Sequence, residues 1–432
     1  MEGVEFVYTH SFIILIDCGC WIDVTLLLHL CERKFGNMAD QLVQLDQGKK
    51  VERWTIEKKL GEGAFGAVYK VSDKTGTYAL KVEGVNEPIQ LLKMEVFVLN
   101  ELSKAGGRHF CKIEDKGRVD NFNYVVMTFV GKSLHDLRLA APGKKFTVGT
   151  AISIGIQCLE ALEDLHGIGY LHRDVKPANY TIGRAELKEV RKVYVLDFGM
   201  ARKFVHEDGT IKKPRSVAGF RGTVKYAPVA CHAQREMCRL DDLESWLYQQ
   251  VEFTKGALPW RNLKDMDEIG RFKKSCRGDI AMKQLFGGCP REYIDIMRTI
   301  DGGRFFDEPN YPRVYSLLRT AMKNLNAQEY PYDWERWEEE QKRRDEEKKK
   351  ADAAAAAVGG EKGGAADGKS PGAGAAGAGA KKEGDKKEEK TGIVENEKTN
   401  DINDKNEKTQ DEGKEKEKKD DKEKEKKPKS KF

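Results

Sequence analysis

The residues best equipped for chemistry lie in YLHRDVKPAN, positions 170 to 179, and in the LDFG that follows at 196 to 199. Asp174 can accept a proton from a hydroxyl. Lys176, two residues on, can neutralise phosphate charge. Asn179 can ligate a metal through its amide oxygen, and Asp197 through a carboxylate. Hard oxygen ligands of this kind, completed by phosphate oxygens, suit Mg²⁺. His172 and Arg173 read as supports of the loop. A lone HRD triplet also fits a solvated loop, but HRDVKPAN followed by DFG is a far more specific pattern.

Two further parts stand upstream. LGEGAFGAVYKV contains G-x-G-x-x-G-x-V through Gly61, Gly63, Gly66 and Val68. Glycines there let a backbone approach phosphates closely, and Val68 would cover a base. The same spacing fits a dinucleotide site, in which a helix follows directly, or a glycine-rich turn without ligand. Here AVYKVSD reads as a second strand, which favours a hairpin over the phosphates. Lys81, in YALKVE, ends an apolar run and is costly to bury alone. Glu95 could be its partner, leaving the ammonium to reach the α- and β-phosphates.

Positioning these groups takes strands first and helices later. WTIEKKL alternates into the glycine cluster, and GTYALKVE is a further strand. Leu91, Leu92, Glu95, Val98, Leu99 and Leu102 recur at helical spacing and the run ends on glycine. Residues 151 to about 166 form a longer apolar helix, KVYVLDFG a buried strand, and the chain from Asp241 onward is mainly helical. The pattern predicts a small sheet-rich lobe followed by a helical lobe. No internal repeat is present.

The 432 residues fit one large domain or two ordinary ones. The 39% hydrophobic and 34% charged content describes a normal core diluted by a polar segment, and the C-terminal end supplies it. The net charge of +5 argues neither for nor against nucleic acid. Nine cysteines without a C-x-x-C pair argue against a zinc cluster and fit a reduced interior, hence a cytoplasmic or nuclear setting. The apolar stretch 11 to 30 is interrupted by Asp17 and Asp23 and preceded by acids, so membrane insertion is not expected. The chain divides into a leader (1–53), a globular domain (54–330), a charged helix (331–357) and a low-complexity, disordered tail (358–432).

Taken in this order, the glycine loop, the lysine, HRDVKPAN and DFG resemble a eukaryotic protein kinase domain. That resemblance implies an α+β, bilobal kinase fold with ATP and Mg²⁺. By the same resemblance Asp174 is the catalytic base, Lys81 and Glu95 an ion pair, and Asn179 and Asp197 the metal ligands. Leu60, Gly61, Gly63, Gly66, Val68, Lys81, Met127 and Val130 would surround ATP, with Thr128–Val130 as hinge, and Asp242 would anchor the catalytic loop. Lys176 matches the serine/threonine pattern. FRGTVKYAPVACHAQREMCRLDDLESWLY and GKSLHDL resemble the casein kinase 1 superfamily, closest to its tau-tubulin kinase-like members. The usual A-P-E reads Ala227, Pro228, Val229 here, a departure that this superfamily shares. Arg221 and Lys225 lie near the expected acceptor pocket, where cations could select acidic or phosphorylated sites or could serve the activation segment structurally.

The expected activity is ATP-dependent phosphorylation of protein serine and threonine by a monomer, with no membrane or specific nucleic-acid partner. A pseudokinase scaffold that binds partners through the helical lobe and charged tail is the alternative. Every catalytic position being filled argues against it.

Overall fold

A computed structural model describes residues 43–63, 66–87 and 90–359. The leader before Val43, with the apolar stretch 11 to 30, and the tail from residue 360 lie outside the described residues.

Six strands form one antiparallel sheet: β1 (Lys50–Val51), β2 (Trp54–Gly63), β3 (Gly66–Ser72), β4 (Thr77–Gly84), β5 (Ile113–Val119) and β6 (Phe122–Thr128), in the order β1-β2-β3-β4-β6-β5. Period-two alternation turns Trp54, Ile56, Tyr69, Val71, Leu80 and Val82 inward. The glycine cluster lies at the connected end of the β2–β3 hairpin, where Gly63 pairs with Gly66. A Cβ on Gly66 would lie 2.0 Å from the Val82 carbonyl oxygen, so the close neighbour β4 requires glycine at that position. Helix α1 (Leu91–Lys104) packs its Leu92, Glu95, Val98, Leu99 and Leu102 face inward, as the spacing predicts.

The second lobe begins with α2 (Leu134–Ala140) and α3 (Val148–Gly167). Short ribbons follow, β7 (Tyr170–Leu171) pairing with β10 (Arg202–Lys203) and β8 (Tyr180–Ile182) with β9 (Val193–Val195). Then come α4 (Val229–His232), α5 (Arg239–Lys255), α6 (Met266–Ser275), α7 (Asp279–Phe286), α8 (Glu292–Asp301), α9 (Tyr311–Asn324) and α10 (Asp333–Gly359). Helix α5 is buried nearly all round, with Trp246, Tyr248 and Phe253 in the core beside Gln249, Gln250 and Glu252. Such a helix is central to its lobe, and its polar side chains are available to hold other elements.

The folded body exceeds the expected 54–330 span at both ends. Val43 and Leu45 join the core of the small lobe, and the Leu45 amide donates to the Tyr69 hydroxyl at 3.0 Å. At the other end Tyr332, Asp333 and Trp334 are buried. Asp333 accepts the Thr147 amide (2.7 Å) and hydroxyl (2.8 Å) at the start of α3, and the Trp334 indole donates to Val190 O. The charged helix therefore begins as part of the domain. Its composition marks only the exposed continuation, which conceals the docked first turn.

Candidate active site

The loop after β7 is fixed from below by one carboxylate. Asp242, fully buried on α5, accepts the amides of His172 (2.8 Å) and Arg173 (2.9 Å) and meets His166 Nε2 at 2.9 Å. Burial pushes its carboxyl up, but His166, His172 and the loop amide override this and hold it below the usual carboxylate range. Arg173 has φ of 67° and Asp197 φ of 62°, left-handed conformations that cost about 1–2 kcal/mol each for such residues. The anchored amides keep the first of these in place. Gly222, at φ of 100°, passes so close that a Cβ there would lie 2.5 Å from the Arg173 carbonyl oxygen.

This anchoring presents Asp174. Its carboxylate accepts the Thr223 hydroxyl at 2.7 Å through one oxygen and Lys176 Nζ at 2.7 Å through the other. Lys176 also donates to Thr223 Oγ1 at 3.0 Å. Asn179 spends its NH₂ on the Asp174 carbonyl at 2.8 Å and, more weakly, on the carboxylate at 3.4 Å. Its amide oxygen is thereby left for a ligand.

Across the cleft, β4 carries Lys81 opposite Val68 of β3. Lys81 Nζ meets Glu95 of α1 at 2.6 Å and Asp197 at 3.5 Å. Burial pulls the proton affinity of the ammonium down; Glu95 and Asp197 override it and raise that affinity above the ordinary lysine range. Burial likewise pushes Asp197 up, while Lys81, His172 and Lys176 hold it anionic, below the usual carboxylate range. Glu95 reaches Lys81 because α1 is pinned at its start. Glu83, two residues beyond Lys81 on β4, accepts the Leu91 (2.7 Å) and Leu92 (3.1 Å) amides. The donor set of Asp197 and Asn179 is oxygen only and partly anionic, which fits a hard divalent cation and not a soft one.

Met127 is buried on β6, paired in register with Ala79 and Ile113, and Val130 packs partly buried beside it. Leu60 is exposed and Gly61 has open space where a side chain would be. The two cations expected near the acceptor pocket differ from one another. Arg221 is exposed, its guanidinium turned to the Phe220 carbonyl. Lys225 is bound to Glu252, which is buried on α5 and also takes the Tyr226 hydroxyl. Arg215 of the KKPR run pairs with Glu236, as does Arg202 at 3.0 Å.

Sequence reading missed Thr223 and Glu83. Thr223 stands in a G-T pair beside the Gly222 turn, which is a faint signal; a cap supplied by Glu83 from the preceding strand, outside the usual N-cap position, leaves none.

Residues 54–274 match the protein kinase domain family. A probable serine/threonine-protein kinase of Dictyostelium discoideum is 37% identical over 286 residues, covering 66% of this chain and 56% of that protein. The chain thus spans little more than half the length of that relative. The serine/threonine-protein kinase spe-6 of Caenorhabditis elegans is 38% identical over 292 residues, 66% of this chain and 76% of that protein. A putative casein kinase I of the same nematode is 32% identical over 289 residues, 66% and 84% of the two chains. The two-lobed fold, the cleft and these likenesses together show that the chain belongs to the protein kinase family.

Proposed function

We propose that this protein transfers the γ-phosphate of ATP to serine and threonine hydroxyls of protein substrates. The observation that carries the reading is the Asp174 carboxylate, held by Lys176 and Thr223, facing a cleft whose other wall holds the Lys81–Glu95 pair. Family membership brings ATP and a divalent metal as general requirements. Asp197 and Asn179 would hold that metal, and the hardness of their oxygens favours Mg²⁺; when bound it neutralises charge on the phosphates.

Lys81, fixed by Glu95, orients the α- and β-phosphates. Leu60, Val68, Met127 and Val130 enclose the base, and the backbone at Gly61 and Gly63 leaves room for phosphate oxygens. Asp174 orients the acceptor hydroxyl. The acceptor oxygen bonds to the γ-phosphorus, the bond to the β–γ bridging oxygen breaks, the hydroxyl proton passes to Asp174 and ADP leaves. Lys176 offsets charge as it builds on the phosphoryl group.

Within the family, the Ala-Pro-Val sequence, the GKSLHDL segment and a relative named as a putative casein kinase I support the casein kinase 1 superfamily; the residues of the 220–248 stretch favour its tau-tubulin kinase-like branch. Arg221 would favour acidic or phosphorylated sites. The chain is taken to act as a monomer on protein, away from membranes and specific nucleic acid. Incubating purified protein with labelled ATP, Mg²⁺ and casein or a peptide library tests the reading. Phosphoserine and phosphothreonine that vanish when the metal is chelated are expected, and no labelled product across the library would refute it.

A further inference from the structure

Beneath residues 223–227, α6 buries a lysine whose hydrogen-bond partners include no carboxylate. Lys273 is fully buried, and its ammonium donates to Val224 O and Ala227 O, both at 2.7 Å, and to His232 Nε2 at 3.1 Å. The rings of Tyr248 and Trp260 face it at 5.3 and 5.2 Å. Burial lowers its proton affinity to about 7 against the pull of Glu244. Burial, and then Lys273 itself, hold His232 down to about 4, so the imidazole is neutral and free to accept. A cation kept in such a place costs stability unless every N–H is used, and here three acceptors converge on it.

The peptides it grips belong to one turn. The Tyr226 and Ala227 amides both donate to Thr223 O at 2.9 Å. Trp260 Nε1 donates to the intervening Lys225 O at 2.8 Å. The carbonyls of residues 224, 225 and 227 are therefore all held from outside, by α6 and by Trp260. The residue that opens the turn is Thr223, whose hydroxyl contacts Asp174 and Lys176. One residue beyond the Pro228 that follows the turn, Val229 contributes no side-chain anchor; its amide donates to Glu244 of α5 at 3.1 Å.

We infer that Lys273 is a positioning residue for phosphoryl transfer, a clasp that fixes turn 223–227 and so sets Thr223 against Asp174 and Lys176. The inference rests on the kinase reading above, and its consequence is confined to the acceptor side of the reaction.

The test compares wild type, Lys273→Met, which keeps an unbranched apolar stem, and Trp260→Phe, which keeps a ring. Peptide and ATP kinetics, nucleotide affinity and hydrogen exchange across residues 218–228 are measured on the full chain. Lys273→Met should lower peptide kcat/KM about tenfold or more, leave the ATP KM and nucleotide affinity within about twofold, and speed exchange at Tyr226 and Ala227. Thr223→Ala should cost less in the Lys273→Met background than alone, because both act through one contact. Peptide kinetics equal to wild type, proportional loss of ATP and peptide parameters, or multiplicative effects of the two substitutions would each overturn the inference. If Lys273→Met does not fold, Trp260→Phe decides by the same split with a smaller effect, and its equality with wild type overturns the clasp. An inactive wild type would instead defeat the kinase reading, while exchange at Tyr226 and Ala227 would still decide whether Lys273 holds the turn.

Discussion

On the nucleotide side of the cleft, Lys81, Glu95 and Asp197 come from β4, α1 and the loop after β9, and they meet only through their charges. On the acceptor side, the turn 223–227 is tied carbonyl by carbonyl to the residues beneath it, and the catalytic loop amide by amide to Asp242. The first arrangement comes apart if α1 shifts by a few ångströms, and Glu83 is the side chain that fastens its start. The second cannot move without leaving buried carbonyls and amides unpaired, each at a cost of about 1–3 kcal/mol. A site built this way has an adjustable nucleotide wall and a fixed acceptor floor, so substitutions on the two sides should separate ATP parameters from peptide parameters.

The largest effect belongs to the acceptor side. Asp174→Asn keeps the shape and one oxygen to accept from Lys176 or Thr223, while removing the charge and the proton acceptor. Turnover should fall by about 10²–10⁴-fold with the nucleotide Kd nearly unchanged. Rapid-quench turnover alongside a nucleotide titration measures both, and a variant with wild-type turnover would show that Asp174 is not the base.

Glu95→Gln addresses the nucleotide side and should act in the opposite sense. Lys81 loses its 2.6 Å charge partner and is free to close on Asp197, 3.5 Å away, which would compromise the proposed phosphate contact and the proposed metal ligand together. The ATP KM should rise about tenfold while peptide KM holds. Equal changes in both would mean that the two walls are mechanically coupled and the contrast drawn here is false.

The family was legible because its marks are short spacings: HRDVKPAN, DFG and the glycine cluster each lie within one loop. The lobes were legible because strand and helix periods differ. What stayed hidden depends on contacts between distant elements. Lys273 sits among lysines and arginines in RFKKSCR, and only its turn of the helix distinguishes it from exposed Lys274. The partner of Lys225 lies 27 residues away on a helix whose polar face is buried, contrary to the amphipathic pattern that surface helices follow. Val43 and Trp334 lie outside the expected 54–330 span for a related reason: they fold in by docking, and composition carries no record of docking.

That hidden pairing changes what Arg221 and Lys225 can do, and it yields the smallest predicted effect. By sequence both lie near the expected acceptor pocket, with a selective or a structural role open to each. In the fold, Lys225 neutralises Glu252, which is buried and lies within 3.6 Å of Arg138, so Lys225 is part of the fixed floor. Arg221 has no acidic partner among the described residues and is exposed. Lys225→Ala should therefore cost about 1–3 kcal/mol of stability, read as a lowered Tm, because Glu252 keeps Tyr226 and Arg138 but loses its nearest cation. Arg221→Ala should leave Tm unchanged and weaken selection for peptides with Asp, Glu or phosphoserine near the acceptor, a few-fold in kcat/KM and less at high salt, since an exposed charge is screened. The two single variants, profiled on one peptide array and melted under one condition, sharpen the contrast between floor and wall. If Arg221→Ala lowers Tm, or if Lys225→Ala alone erases the acidic preference at wild-type stability, the assignments must be exchanged.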